Sequence, residues 1–206
     1  MAEFLRRYTD LPCVIYLLRE RKLTLLDPAS WDDGNDSHYL ALYRERRRLQ
    51  SVLALCFTQA GETYHHWRVF APGPGGVCVQ FKRASVLRAV RGPHVRSEAV
   101  RYLKLEMLRG RRLRSRELPF IKRQAFEHEN EFRVIYESRK TRLSKLDLNL
   151  SLKAIASITL SPWMHPDLAA HVKETIASIE GCSGLRLSRS TLIGNDEWKR
   201  LGENSR

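Results

Sequence analysis

A single α+β domain, with a mixed sheet of about five or six strands flanked by helices, is the fold class this sequence predicts. Three observations carry it. Two short apolar runs, Ser51–Thr58 and Val77–Phe81, flank a Gly/Pro turn at Ala71–Gly76 and read as neighbouring strands. The stretch from Glu129 alternates, with Phe132, Val134 and Tyr136 on one face and Glu129, Glu131 and Arg133 on the other. Near the end, strand, helix and strand follow at the spacing of a βαβ unit. The 206 residues fit one domain, 1–206, and 43% hydrophobic content suffices for a core.

In chain order, Cys13–Leu18 is compatible with a strand or with the start of a helix reaching Lys22. Leu23–Leu26 alternates poorly and stops at Asp27-Pro28. Ser30–Asp36 is a turn-rich acidic loop in which Asp33 closes a turn or binds substrate. Asp36 or Ser37 caps a helix over His38–Gln50, whose basic end suits the helix dipole. Tyr64–Phe70 carries His65, His66, Trp67 and Arg68. Val100–Leu108 reads as helical, and Ser138–Lys145 as a polar loop. Leu152–Leu160 is a strand, Pro166-Asp167 opens a helix through Ile179, and Leu185–Ser188 is a final short strand. The tail 195–206 is polar.

The chain carries 36 basic and 23 acidic residues, a net charge of +13. That excess favours nucleic acid or nucleotide phosphates as partners, with an acidic protein partner as the other option. Most of it lies in Lys82–Arg116, a basic, partly irregular insertion with twelve Lys or Arg against Glu98 and Glu106, a local net of +10. Arg109, Arg111, Arg112, Arg114 and Arg116 are its candidate phosphate ligands. Four widely spaced cysteines, with no CxxC pair, read as reduced thiols, and adjacent His65 and His66 diverge, so no metal site is expected. No apolar run approaches the ~20 residues that span a bilayer, and the amino terminus lacks a signal core. A cytoplasmic protein that does not enter membranes is the expectation.

Several motifs follow one another in order: Trp31-Asp32-Asp33, Cys56-Phe57-Thr58, Trp67, Gly76–Phe81, then Lys122, Phe126 and Glu129–Arg133, then Ile155–Pro162 and Ser190. Together they resemble the bacterial domain of unknown function twenty-nine seventy-one. The chain departs at Val69-Phe70, where the pattern has His-Tyr, and Arg68 precedes that pair. The resemblance implies a setting near abortive-infection and phage-defence genes, and no particular reaction. A Glu-x-Glu strand in a small mixed sheet is also similar to mono-ADP-ribosyltransferases, where a Glu stabilises the ribosyl cation of NAD. On that reading Glu131, Glu129 and Arg133 are catalytic, Trp67, Arg68 and Asp33 bind substrate, and NAD is the candidate co-substrate. A structural Glu131–Arg133 ion pair, and a non-enzymatic basic module that binds nucleic acid or protein, are the competing readings.

Overall fold

The computed structural model describes residues 2–110 and 112–203. The first strand, β1 (Phe4–Asp10), runs straight into α1 (Leu11–Glu20). Asp10 starts that helix by accepting the Cys13 N–H at 2.8 Å, and Pro12 supplies a preset φ in its first turn. Val14, Leu17 and Leu18 form its buried stripe, and Arg21 ends it in the left-handed region at φ 56°. The chain then enters β2 (Lys22–Leu26), α2 (Gly34–Arg46), β3 (Ser51–Thr58), α3 (Tyr64–Phe70) and β4 (Gly76–Lys82). Gly76 is required where it stands, because a Cβ there would meet the Ala71 carbonyl oxygen at 2.2 Å.

The segment expected to be partly irregular is largely ordered. It holds α4 (Arg83–Ala89), β5 (Val95–Ala99), β6 (Arg101–Leu103) and α5 (Leu105–Leu108). The helix expected over Val100–Leu108 is therefore a short strand followed by a single helical turn. After β7 (Ile121–Arg123) come β8 (Glu131–Ser138), β9 (Lys145–Asn149), β10 (Ile155–Leu160), α6 (Pro166–Ala177), β11 (Leu187–Arg189) and α7 (Asp196–Glu203). Several elements go beyond the sequence reading, among them β1, β9 and α7. The last begins where a polar tail was expected, and Asn195 caps it by accepting the Trp198 N–H at 2.8 Å. Residues 204–206 of that tail lie outside the described residues.

Among the described residues, nine strands join one mixed sheet, more than the five or six expected. The order β11-β10-β4-β1-β3-β2-β9 forms the main path, with β8 on β3 and β5 on β8, so the runs Ser51–Thr58 and Val77–Phe81 are not neighbours as expected but flank β1. β10 and β11 are parallel, which the intervening α6 makes possible, while the other pairs of this sheet are antiparallel. β3 bonds β8 along its whole length, Ser51↔Ser138 to Thr58↔Glu131. Its other edge meets β1 only at Thr58 and β2 only at Ala54, so β1 and β2 diverge from it like a fork.

The alternation of β3 and β8 sorts their side chains between two cores. Leu53, Leu55, Phe57, Phe132 and Val134 enter the larger one, which also takes α1 and α6. Val52, Ala54 and Ile135 enter a smaller one beneath Leu40 and Tyr43 of α2 and Leu118 and Phe120. Arg133 stands two residues before Ile135, on the same face, so it points beneath α2 as well.

Candidate active site

Arg133 is the centre of the site, and its side chain is 0% exposed. Its guanidinium carries five N–H donors, and the structure accounts for all of them. Nε and Nη2 bond the two oxygens of Glu131 at 2.7 and 2.8 Å. Nη1 and Nη2 bond the two oxygens of Asp36 at 2.8 and 2.6 Å, and Nη1 also bonds the Pro119 carbonyl at 2.9 Å. Trp31 lies 5.0 Å from the guanidinium carbon. An Arg with every donor used holds other groups in place. It has none left for a substrate.

Local sequence explains how Asp36 gets there. Asp33, in extended conformation, caps α2 by accepting the N–H groups of Asn35 and Asp36 at 3.0 and 3.3 Å. The helix thus begins at Gly34, four residues before the expected His38, and Asp36 falls in its first turn. There the carboxylate benefits from the positive end of the helix dipole and reaches down to Arg133. The cap is Asp33 rather than Asp36 or Ser37.

Lys122, from β7, completes the cluster. Its ammonium lies 2.7 Å from Glu129, 3.7 Å from both Asp33 and Asp36, and 3.9 Å from Glu131. β7 pairs in parallel with β6, which sets Tyr102 beside Lys122. The Tyr102 hydroxyl in turn accepts the Glu131 backbone N–H at 2.8 Å. Glu129 is not on the strand, contrary to the expected alternation. It ends a 3-10 segment, Gln124–Glu129, and Asn130 at φ 43° turns the chain into β8. Its carboxylate reaches the cluster from that turn and shares Lys122.

Four carboxylates therefore surround two cations, a formal charge of −2 in a place largely shielded from water. Burial pushes the Glu131 carboxyl up, but Arg133 and Lys122 outweigh it and hold it below the usual range. Burial pushes Glu129 up, and the Lys122 ammonium does not fully reverse that. Burial alone would lower Lys122 and Arg133, yet the surrounding carboxylates raise both. Cys56, opposite Arg133 across the β3–β8 ladder, is raised by burial and then by Glu131. A cavity of about 300 Å³ opens beside the cluster, lined by Asp36, Lys122, Tyr39, Leu103, Ile121 and Arg123.

Of the residues expected at the site, Asp33, Glu129, Glu131 and Arg133 come together. Trp67 and Arg68 form no bond or ring contact with this cluster among the described residues. Trp67 is 0% exposed; it stacks edge-on against Tyr8 and donates its indole N–H to Glu62 at 2.7 Å. Arg68 is exposed and lies over Trp163 at 4.5 Å and Tyr64 at 5.3 Å. Arg109, Arg112, Arg114 and Arg116 are exposed, and Arg111 lies outside the described residues. Sequence reasoning missed Asp36, Lys122 and Tyr102 as parts of the site. Only Lys122 gave a signal, as one term of the family-like motif.

Compared with models of known protein families, with curated proteins and with solved structures, the chain finds no match. What fold and site define is an α+β domain that buries an acidic cluster beneath one helix. No described helix is long and apolar enough to cross a membrane.

Proposed function

We propose that the protein is an intracellular enzyme that acts on a nucleotide or nucleic acid and breaks a ribosyl bond, with NAD as the first candidate substrate. The observation that supports this reading is the buried excess of two negative charges beside a cavity, in a chain whose overall charge is +13. Cleaving a glycosidic bond leaves positive charge on the sugar, and fixed carboxylates in a dry site stabilise that charge best. Glu131, both oxygens bound by Arg133, is the permanent anion. Glu129 spends one oxygen on Lys122 and keeps an acceptor for a ribose hydroxyl. Asp33 and Asp36 complete the field, and Arg133 is a positioning residue. Arg123, on the cavity wall, supplies a cation for the phosphates of the same ligand. A defence context follows from the likeness to the family named above.

Purified protein incubated with NAD should release nicotinamide, followed by chromatography. Glu129→Gln should lower that rate by about a hundredfold or more with little change in melting temperature, because the amide keeps an oxygen for Lys122. Glu131→Gln should abolish the rate and also destabilise, since an amide cannot accept both Arg133 bonds. Nicotinamide release unchanged in the Glu129→Gln protein would end the reading.

The basic-module alternative has its own support in the four exposed arginines of residues 109–116. If it holds, binding to an oligonucleotide survives both Glu variants and falls steeply with salt.

A further inference from the structure

The structure brings together two imidazoles that the sequence sets far apart. His65, from α3, and His128, from the 3-10 segment before β8, place their Nε2 atoms 2.6 Å from each other. Their rings are nearly perpendicular, at 88°, with centroids 4.0 Å apart. Both side chains are exposed to solvent. We propose that His65 and His128 form a two-histidine site for a borderline divalent transition-metal ion such as Zn²⁺ or Ni²⁺.

The backbone under both rings is held in place, so the two imidazoles start close together. On one side His66, the neighbour of His65, is tied to Thr63 through Nδ1 at 2.5 Å and contacts the Glu129 carbonyl through Nε2 at 3.3 Å. On the other side that carbonyl, next to His128, accepts the Thr58 hydroxyl at 2.6 Å. Asn130 is held in turn by the Gln59 N–H at 2.8 Å. The two Nε2 atoms therefore converge from elements already bonded to each other.

Neutral imidazole is the ligating form. Without metal, one Nε2 carries the proton and the other accepts it. Metal binding moves that proton to the Nδ1 of the same ring, so no proton is lost overall. Bonds of about 2.0–2.1 Å in tetrahedral geometry set the two nitrogens roughly 3.4 Å apart. Small rotations of two exposed side chains open the pair by that margin. Among the described residues no group of three or more His, Cys, Asp and Glu is placed to hold a metal. With two protein nitrogens, the remaining coordination positions belong to water or to a ligand. The site is independent of the ribosyl chemistry proposed above.

The test is calorimetric titration of the full chain with NiCl₂ and, separately, ZnCl₂. One ion per chain is expected, with a dissociation constant on the order of micromolar and a rise in melting temperature on loading. His65→Ala and His128→Ala should each weaken binding by at least about tenfold, and His165→Ala, at an exposed histidine elsewhere, should leave it unchanged. Should an alanine variant fold poorly, His128→Gln serves instead, since it keeps the polarity and removes the ring. Binding that persists in the His65/His128 double variant, or that His165→Ala weakens equally, overturns the proposal. So does an absence of stoichiometric binding.

Discussion

Two regions of this molecule carry charge in opposite ways. Beneath α2, Arg133 and Lys122 are enclosed by Asp33, Asp36, Glu129 and Glu131, with contacts between 2.6 and 3.9 Å. In the basic segment, Arg109, Arg112 and Arg114 lie exposed and form no ion pair among the described residues. The first arrangement costs desolvation at every ion, and it is stable only because each charge has partners. The second costs nothing to fold and contributes little to stability. Rigid geometry is a property of the first region, and an exposed positive surface a property of the second.

The largest effect should come from removing the shared partner. Arg133→Ala leaves Glu131 and Asp36 facing each other in a buried space with five hydrogen bonds lost. Breaking a buried pair from one side costs about 3–5 kcal/mol, which for a chain of this size lowers the melting temperature by about 10 °C. Scanning calorimetry checks it. A loss under about 1 kcal/mol would mean that the network is not holding α2 to the sheet.

A second test uses pH. Glu131 is held below its ordinary carboxyl value by Arg133 and Lys122 despite burial. A group with a depressed folded pKa contributes stability above its unfolded pKa, near the ordinary 4.5, and loses it as pH falls through the folded value. The stability difference between wild type and Glu131→Gln should therefore be constant near neutrality and shrink as pH drops below about 4.5. Denaturant midpoints at pH 7, 5, 4 and 3 measure it. A difference that grows on acidification would give the opposite sign and remove Arg133 as the dominant partner.

The contrast between the regions also explains what could be read from the sequence. β3, β4 and β10 are short apolar runs, and the alternating Phe132–Tyr136 face was visible because β8 has the larger core on one side. Glu131 and Arg133 could be paired from their spacing alone. Asp36 could not, because it meets Arg133 across 97 residues and sat in a loop rich in equally plausible aspartates. Lys122 stood in the family-like motif, but β7, the strand that aims it at the carboxylates, is only three residues long and leaves no apolar pattern. β1 was missed because Arg6 and Arg7 break its apolar pattern, and β9 because its KLDLN run follows a basic loop. The basic segment shows the reverse: its composition was plain, but its order comes from β5 pairing with β8, a long-range partner.

The smallest effect expected on folding belongs to the basic segment. Arg109→Ala, Arg112→Ala and Arg114→Ala together remove three exposed side chains that form no ion pair among the described residues. Surface changes of that kind stay near the threshold of measurement, so the melting temperature should move by no more than about 2 °C. Binding to a short oligonucleotide should respond much more. Each phosphate neutralised releases a condensed counterion and adds about 0.7–0.9 to the slope of log affinity against log salt. If the three arginines each engage a phosphate, the slope should flatten by roughly 2–3 in the triple variant. Fluorescence anisotropy across a salt series reads both slope and affinity. An unchanged slope would move the phosphate contacts elsewhere, with Arg123 on the cavity wall the next to replace. A large fall in melting temperature would instead show that these arginines hold the fold, and the division between a structural network and a solvated basic surface would no longer stand.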